Sequence, residues 1–117
     1  ASDVALARLG ILPARARTLI ALGRAVDDGA LCLDRGADVE ATMAALVALP
    51  GIGEWTAHYV AMRALRWPDA LPAGDLVLRR ALGVASAREV KERAQRWSPW
   101  RAYAVMHLWS EQAEAER

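Results

Sequence analysis

The stretch Leu49-Pro50-Gly51-Ile52-Gly53-Glu54-Trp55-Thr56-Ala57 constrains the fold more than any other part of this 117-residue chain. Ala41 to Ala48 has a helical pattern, Pro50 and Gly51 break it, and from Trp55 the apolar spacing turns helical again. Trp55, Tyr59 and Met62 recur at i, i+4 and i+7, with Ala57, Val60, Ala61, Ala64 and Leu65 filling a second stripe. The string therefore reads as a tight turn between two helices. Gly51 and Gly53 allow positive φ and leave the backbone bare. Bare N–H groups at a helix start, where the macrodipole is positive, suit a phosphate oxygen.

The rest of the chain agrees with a helical class. Alanine dominates the apolar residues, Phe is absent and β-branched residues are sparse, which favours helices. No window alternates with period two and no repeat appears, so the expectation is an all-α fold in one domain over 1–117. Ser2 to Leu9 reads as a short helix capped by Ser2 and stopped by Gly10. Pro13 opens the next helix, with Ala16, Leu19, Ile20, Gly23 and Val26 as its buried stripe, and Asp27-Asp28-Gly29 ends it. Leu31 to Gly36 is a loop or one short turn. Asp38 caps a helix whose inner face is Met43, Leu46 and Val47. The Trp55 helix is expected to run to Trp67 and stop at Pro68. Asp75 sits where a further helix begins, ending at Gly83. Ser86-Ala87-Arg88-Glu89 has the form of a capping box and starts a helix ending near Trp97. Ser98-Pro99, a cap and a first-turn proline, opens the last helix, to about Ala113.

Formal net charge is only +1, so the total does not announce nucleic acid. Its distribution says more: basic residues outnumber acidic ones from Arg63 to Arg101, while the acids gather from Asp27 to Glu40 and in the C-terminal tail. Lys91 is the only lysine, and the arginine bias suits either phosphate forks or a GC-rich genome. Cys32, the only cysteine, can form no internal disulfide and no four-Cys iron–sulfur cluster. Neither a signal peptide nor a spanning segment is apparent, so a cytosolic location is expected.

Leu49 to Ala57 resembles the hairpin of the helix-hairpin-helix DNA glycosylases, and Leu71-Pro72-Ala73-Gly74-Asp75 resembles the Gly/Pro-rich loop that ends in their essential aspartate. Within that superfamily the chain is most similar to the AlkA-type 3-methyladenine DNA glycosylases II. The supporting residues are Trp55, Tyr59, Asp75-Leu76-Val77-Leu78-Arg79-Arg80, and Trp97-Ser98-Pro99-Trp100-Arg101-Ala102-Tyr103-Ala104 with Leu108-Trp109. The likeness runs over most of the chain and is most specific from Leu49 to Trp109. It implies the C-terminal helical portion of a longer protein, lacking an N-terminal β-rich domain and upstream helices; the start without Met fits that expectation. It also implies a monomer acting on duplex DNA in the bacterial nucleoid, with no cofactor required.

Asp75 has two compatible readings. It is a natural N-cap, and the resemblance places the family's essential aspartate there. Base removal passes through an oxocarbenium-like sugar, whose developing charge an anion stabilises, and the same carboxylate can orient or deprotonate water. Position 55 chooses between mechanisms. Bifunctional members of the superfamily have a Schiff-base lysine just before the Thr-Ala pair; here it is Trp55, so water is the expected nucleophile. Trp55, Tyr59 and Trp109 are either core aromatics or a cage for a flat, cationic alkylated purine, held by stacking and cation–π attraction. Such a base leaves without protonation, so His58 and His107 are read as structural or surface residues. Trp67, Trp97 and Trp100 are assigned to packing.

The resemblance gives Pro50, Gly51, Ile52, Gly53 and Thr56 the DNA backbone, through N–H groups and the Thr56 hydroxyl. It also implies a monovalent cation, Na⁺ or K⁺, on the carbonyls of Val47, Leu49 and Ile52. Arg79, Arg80 and Arg101 stand open between phosphate contact and internal salt bridges. No side chain offers itself as the wedge that base flipping needs, so weak or absent activity is expected of this stretch alone. The expected function is monofunctional excision of alkylated purines; the alternative is a helix-hairpin-helix module that grips DNA without chemistry. An endonuclease III-type lyase is disfavoured by Trp55 and by the cysteine count.

Overall fold

A computed structural model describes residues 3–34 and 36–116. Among them are seven α-helices and no strand: α1 (Asp3–Ala7), α2 (Pro13–Asp27), α3 (Val39–Val47), α4 (Glu54–Arg63), α5 (Leu76–Leu82), α6 (Ala87–Ala94) and α7 (Arg101–Ala115), with a 3₁₀ turn at Gln95–Trp97. The all-α expectation stands. The caps read from sequence lie where the side chains put them. Asp38 accepts from the Ala41 amide at 3.2 Å and Ser86 from that of Glu89 at 3.2 Å. Glu89 in turn accepts from the Ala85 amide at 3.4 Å. Gly83 closes α5 with φ of 66°. Ser2, the cap expected for α1, lies outside the described residues.

Two apolar clusters hold the helices. The larger gathers Ala61, Met62 and Leu65 around α4, Leu71 from the following loop, Leu78 of α5, Val90 and Ala94 of α6, and Ala102 and Val105 of α7. The smaller joins Leu31, Leu46, Ile52 and Ala57, with Leu22 and Ala25 of α2 packed on it. Met43 touches both. Alanines at the contact points (Ala57, Ala61, Ala94 and Ala102, each at most 1% exposed) let the helix backbones approach closely.

Five expectations need correction. On α2 only Ala16 of the stripe is buried, while Leu19 and Val26 stand 48% and 46% exposed. The helix is rotated so that Leu22 and Ala25 meet the smaller cluster, leaving Leu19 and Val26 on its exposed edge. Val47 is likewise exposed, because Thr42 and Leu46, one turn apart, set the inner face of α3. The Trp55 helix ends at Arg63 rather than Trp67: Arg66 takes a left-handed φ of 53°, and the Trp67 amide donates back to the Ala61 carbonyl at 3.0 Å. The last helix begins at Arg101, not at Ser98-Pro99, because Trp100 lies outside helical geometry at φ −118° and ψ 27°. Asp69 stands in for the missing cap and accepts from the Arg101 amide at 3.3 Å. Trp67 and Trp97 pack on the core as expected, but Trp100 is 58% exposed beside Tyr103.

Candidate functional site

The segment leading to Asp75 is held in place before it arrives. Ala70, Leu71, Pro72 and Ala73 are all buried. The Leu71 amide donates to His58 Nδ1 at 3.0 Å, the Ala73 amide to the Leu71 carbonyl at 2.9 Å, and the Asp75 amide to the Pro72 carbonyl at 2.9 Å. At the entrance, the Pro68 carbonyl accepts from Ala102, and Asp69 accepts from Ser98 Oγ at 2.9 Å and Arg101 Nε at 2.8 Å. Asp75 therefore emerges from a clamped loop. It caps α5, Oδ2 accepting from the Leu78 amide at 2.8 Å.

Two indoles take further acceptor positions of its carboxylate. Trp55 Nε1–H donates to Oδ1 at 2.8 Å and Trp109 Nε1–H donates to Oδ2 at 2.9 Å. These donors come from α4 and α7, 20 and 34 residues away in the chain. Tyr59 lies between their rings: it stacks on Trp55 at 5.1 Å with planes 13° apart and meets Trp109 at 6.2 Å and 49°. The three aromatics, with Arg63, Asp75, Val77 and Gln112, line an open pocket of about 380 Å³. The Arg63 guanidinium stands 5.4 Å over the Tyr59 ring, so a flat cation already rests on an aromatic face of this pocket. No salt bridge neutralises Asp75 among the described residues. Sequence reading brought Asp75, Trp55, Tyr59 and Trp109 together, and so does the fold; the indole N–H groups it had not used.

The hairpin between α3 and α4 is a turn of type II. The Ile52 amide donates to the Leu49 carbonyl at 3.3 Å across Pro50 and Gly51, and Gly51 holds φ of 83° at the position that requires it. Thr18 of α2 pins the turn from behind, donating to the Pro50 carbonyl at 2.7 Å. A methyl group on Gly51 would overlap the Thr18 hydroxyl oxygen. Ile52 departs from expectation: its side chain is buried in the smaller cluster and its amide is engaged within the turn, so it offers no free donor. The Gly51 and Gly53 amides make no backbone hydrogen bond among the described residues, and those of Glu54, Trp55 and Thr56 open α4 without intrahelical acceptors. This is a ledge of N–H groups at the positive end of a helix. Pro50 is exposed on it and Thr56 is half-buried in the first turn.

The carbonyls of Val47 and Leu49 lie at and beyond the last turn of α3, where helix carbonyls lack amide partners and the dipole is negative. Leu49 accepts one long bond and retains a lone pair. That donor set fits a hard monovalent cation; no group of three His, Cys, Asp or Glu that could hold another metal occurs among the described residues.

The charged residues divide as follows. Arg101 is committed internally to Asp69, both mostly buried, and Arg79 Nη1 donates to the Ala85 carbonyl at 3.3 Å. Arg80 is exposed. Burial pushes the Asp69 carboxyl up, but the hydrogen bonds from the Arg101 side chain, Ser98 and the Arg101 amide outweigh it and leave it below its ordinary value. Burial pushes the His58 imidazole down; Glu54 opposes this, while Arg101 and Lys91 add to it. His58 is thus a neutral acceptor, stacked on Trp67 at 6.0 Å. His107 is exposed beside Glu111 at 3.1 Å. Lys91, distant in sequence from the hairpin, reaches Glu54 at 3.5 Å, on the α4 turn that carries Trp55, yet does not line the pocket. Sequence reasoning missed Thr18 and the part of His58 in the loop; only the one-turn spacing from Trp55 could have pointed to the latter.

No family model matches the chain. Curated relatives do match it. The chain is 47% identical over 106 residues to a probable bifunctional transcriptional activator/DNA repair enzyme AlkA of Mycobacterium tuberculosis, covering 87% of this chain and 21% of that protein. It is 37% identical over 109 residues to DNA-3-methyladenine glycosylase 2 of Escherichia coli, covering 93% and 39%. A DNA-3-methyladenine glycosylase of Bacillus subtilis is 38% identical over 71 residues, covering 55% and 23%. The chain spans between a fifth and two fifths of the length of these relatives.

Proposed function

We propose that this chain, a homologue of part of the AlkA-type 3-methyladenine DNA glycosylases, provides the base-excising site of a monofunctional glycosylase that hydrolyses the N-glycosidic bond of alkylated purines in duplex DNA. The observation that carries this reading is the Asp75 carboxylate bound by two indole N–H groups at the wall of an aromatic pocket. Indoles orient a carboxylate without neutralising it, as an arginine would. The anion is therefore fixed and free to face positive charge.

A flipped alkylpurine carries positive charge on a flat ring, which stacks on Trp55, Tyr59 and Trp109. As the C1′–N bond lengthens, its electrons leave with the base, which departs neutral, and positive charge moves onto the sugar. Asp75 stabilises that charge and accepts the proton of the water that bonds to C1′. Among the described residues no amine lines the pocket, so no Schiff base forms and the product is an abasic site. The hairpin amides of Gly51 and Gly53, with the first turn of α4, hold phosphate. A monovalent cation on the Val47, Leu49 and Ile52 carbonyls would offset phosphate charge beside them.

The test is release of methylated bases from duplex DNA, with abasic sites revealed by alkali, for the wild type and Asp75→Asn. The measurement is made in this chain and in a chimera that supplies the remainder of the Escherichia coli relative. Asp75→Asn is expected to lose release while binding DNA as tightly or more so, having lost a charge that repels phosphate. Wild-type turnover in the variant would overturn the assignment. A non-catalytic binding module would need the hairpin, and Asp75 as the cap of α5, but would have no use for an anion facing a stacked base.

A further inference from the structure

We propose that His58 is a positioning residue that sets the register of Asp75 through the Leu71 amide. The inference rests on the reading of Asp75 as the catalytic carboxylate, but its geometry is independent of it. Helix α4 presents Trp55 and His58 one turn apart to the same loop. Trp55 grips the end of that loop at Asp75 and His58 grips its middle at Leu71, 3.0 Å from the amide. Leu71 is 3% exposed, and among the described residues no other acceptor serves its N–H. A buried amide left unpaired is costly, so the loop keeps this position only while Nδ1 accepts.

Two short turns connect Leu71 to Asp75: the Leu71 carbonyl accepts from Ala73 and the Pro72 carbonyl accepts from Asp75, with Pro72 itself fully buried. Such a chain has little slack. A shift at Leu71 reaches the carboxylate and changes its two indole distances. The acceptor state requires the imidazole proton on Nε2, which points toward Glu54 at 3.9 Å. The charged groups facing the ring are Glu54 of α4, Lys91 of α6 and Arg101 of α7, and together with burial they favour the neutral ring. Protonation would set an N–H against the Leu71 N–H and open the clamp.

The experiment follows the indole Nε1–H signals of Trp55 and Trp109 by NMR from pH 8 to pH 5, with exposed Trp100 as internal control. In the wild type both reporters are expected to move together, with a midpoint below the ordinary histidine value of 6.5, while Trp100 stays still. In His58→Asn, whose amide oxygen replaces Nδ1 as an acceptor that does not titrate, the signals should hold their pH 8 positions. In His58→Ala they should be displaced at every pH. Reporters that ignore His58 titration, or His58→Ala signals at wild-type positions, overturn the proposal. Should His58→Ala not fold, the comparison of wild type with His58→Asn decides alone. In base release, His58→Ala should lower kcat about tenfold with KM unchanged, and His58→Asn should restore it. If the indoles follow His58 while Asp75→Asn still releases bases, the functional reading falls and the positioning role stands.

Discussion

Gly51→Ala should destabilise the fold strongly, and Thr18→Ala should relieve up to about half of that loss. Gly51 sits at φ 83°, where an alanine costs about 1–2 kcal/mol. Its new methyl would overlap the Thr18 hydroxyl oxygen, the atom that donates to the Pro50 carbonyl at 2.7 Å. Displacing that hydroxyl forfeits a hydrogen bond of about 1 kcal/mol, and forcing a methyl into an occupied place adds about 1–3 kcal/mol. The total of about 3–6 kcal/mol is a large part of the 5–15 kcal/mol typical of a domain. With Thr18 reduced to alanine, the nearest atom left is its Cβ at 3.5 Å, an ordinary contact. Relative to Thr18→Ala alone, only the dihedral cost of Gly51→Ala then remains, so the two substitutions should couple by about 2–4 kcal/mol. Urea unfolding followed by tryptophan fluorescence, with unchanged slopes, measures all four corners of the cycle. Additivity within about 0.5 kcal/mol would mean that α2 does not brace the turn. Weaker DNA binding in Gly51→Ala would therefore not identify a phosphate contact.

Gly53→Ala is the cleaner probe of the DNA ledge: at φ −94° with nothing among the described residues within 4 Å of a new methyl, it should leave the fold within about 1 kcal/mol of wild type yet lower DNA affinity; unaltered binding would remove the hairpin from the interface. Trp55→Phe keeps the stack on Tyr59 but deletes a donor to Asp75; a hydrogen bond to a charged group is worth about 1.5–3 kcal/mol, so base release should slow by about ten- to a hundredfold, and an equal rate would show the indole N–H to be dispensable. Asp69 titrates below its ordinary value in the fold, so its contribution is complete above the unfolded carboxyl value and fades as pH falls through the lower folded one. Asp69→Asn should cost about 1–3 kcal/mol at pH 7 and flatten the acid limb of the stability curve, and an unchanged limb would contradict the Arg101 pairing.

The helical class, most caps and the aromatic–carboxylate grouping were legible because they depend on local chemistry or on the hairpin string. Asp38, Ser86 and Gly83 act within three or four residues, where sequence speaks directly. The rotation of α2 was not legible, since Leu19 and Leu22 fit a helical stripe equally well and only the packed neighbours choose between them. The early end of α4 was hidden because Arg66 is no glycine, and nothing in its side chain announces a left-handed backbone. Ser98-Pro99 looked like a cap because the true one, Asp69, lies 32 residues upstream. Thr18 bracing Pro50 is of the same kind: both contacts join segments that sequence leaves unrelated.

A carboxylate has roughly four lone-pair positions. Around Asp75 the Leu78 amide and the Trp109 indole fill those of Oδ2, and the Trp55 indole takes one on Oδ1. One acceptor direction is left, on Oδ1, so whatever approaches this group must come along a single line. Selectivity at the pocket is then partly a matter of angle: a ligand too thick or too tilted to present its donor along that line finds a carboxylate already saturated.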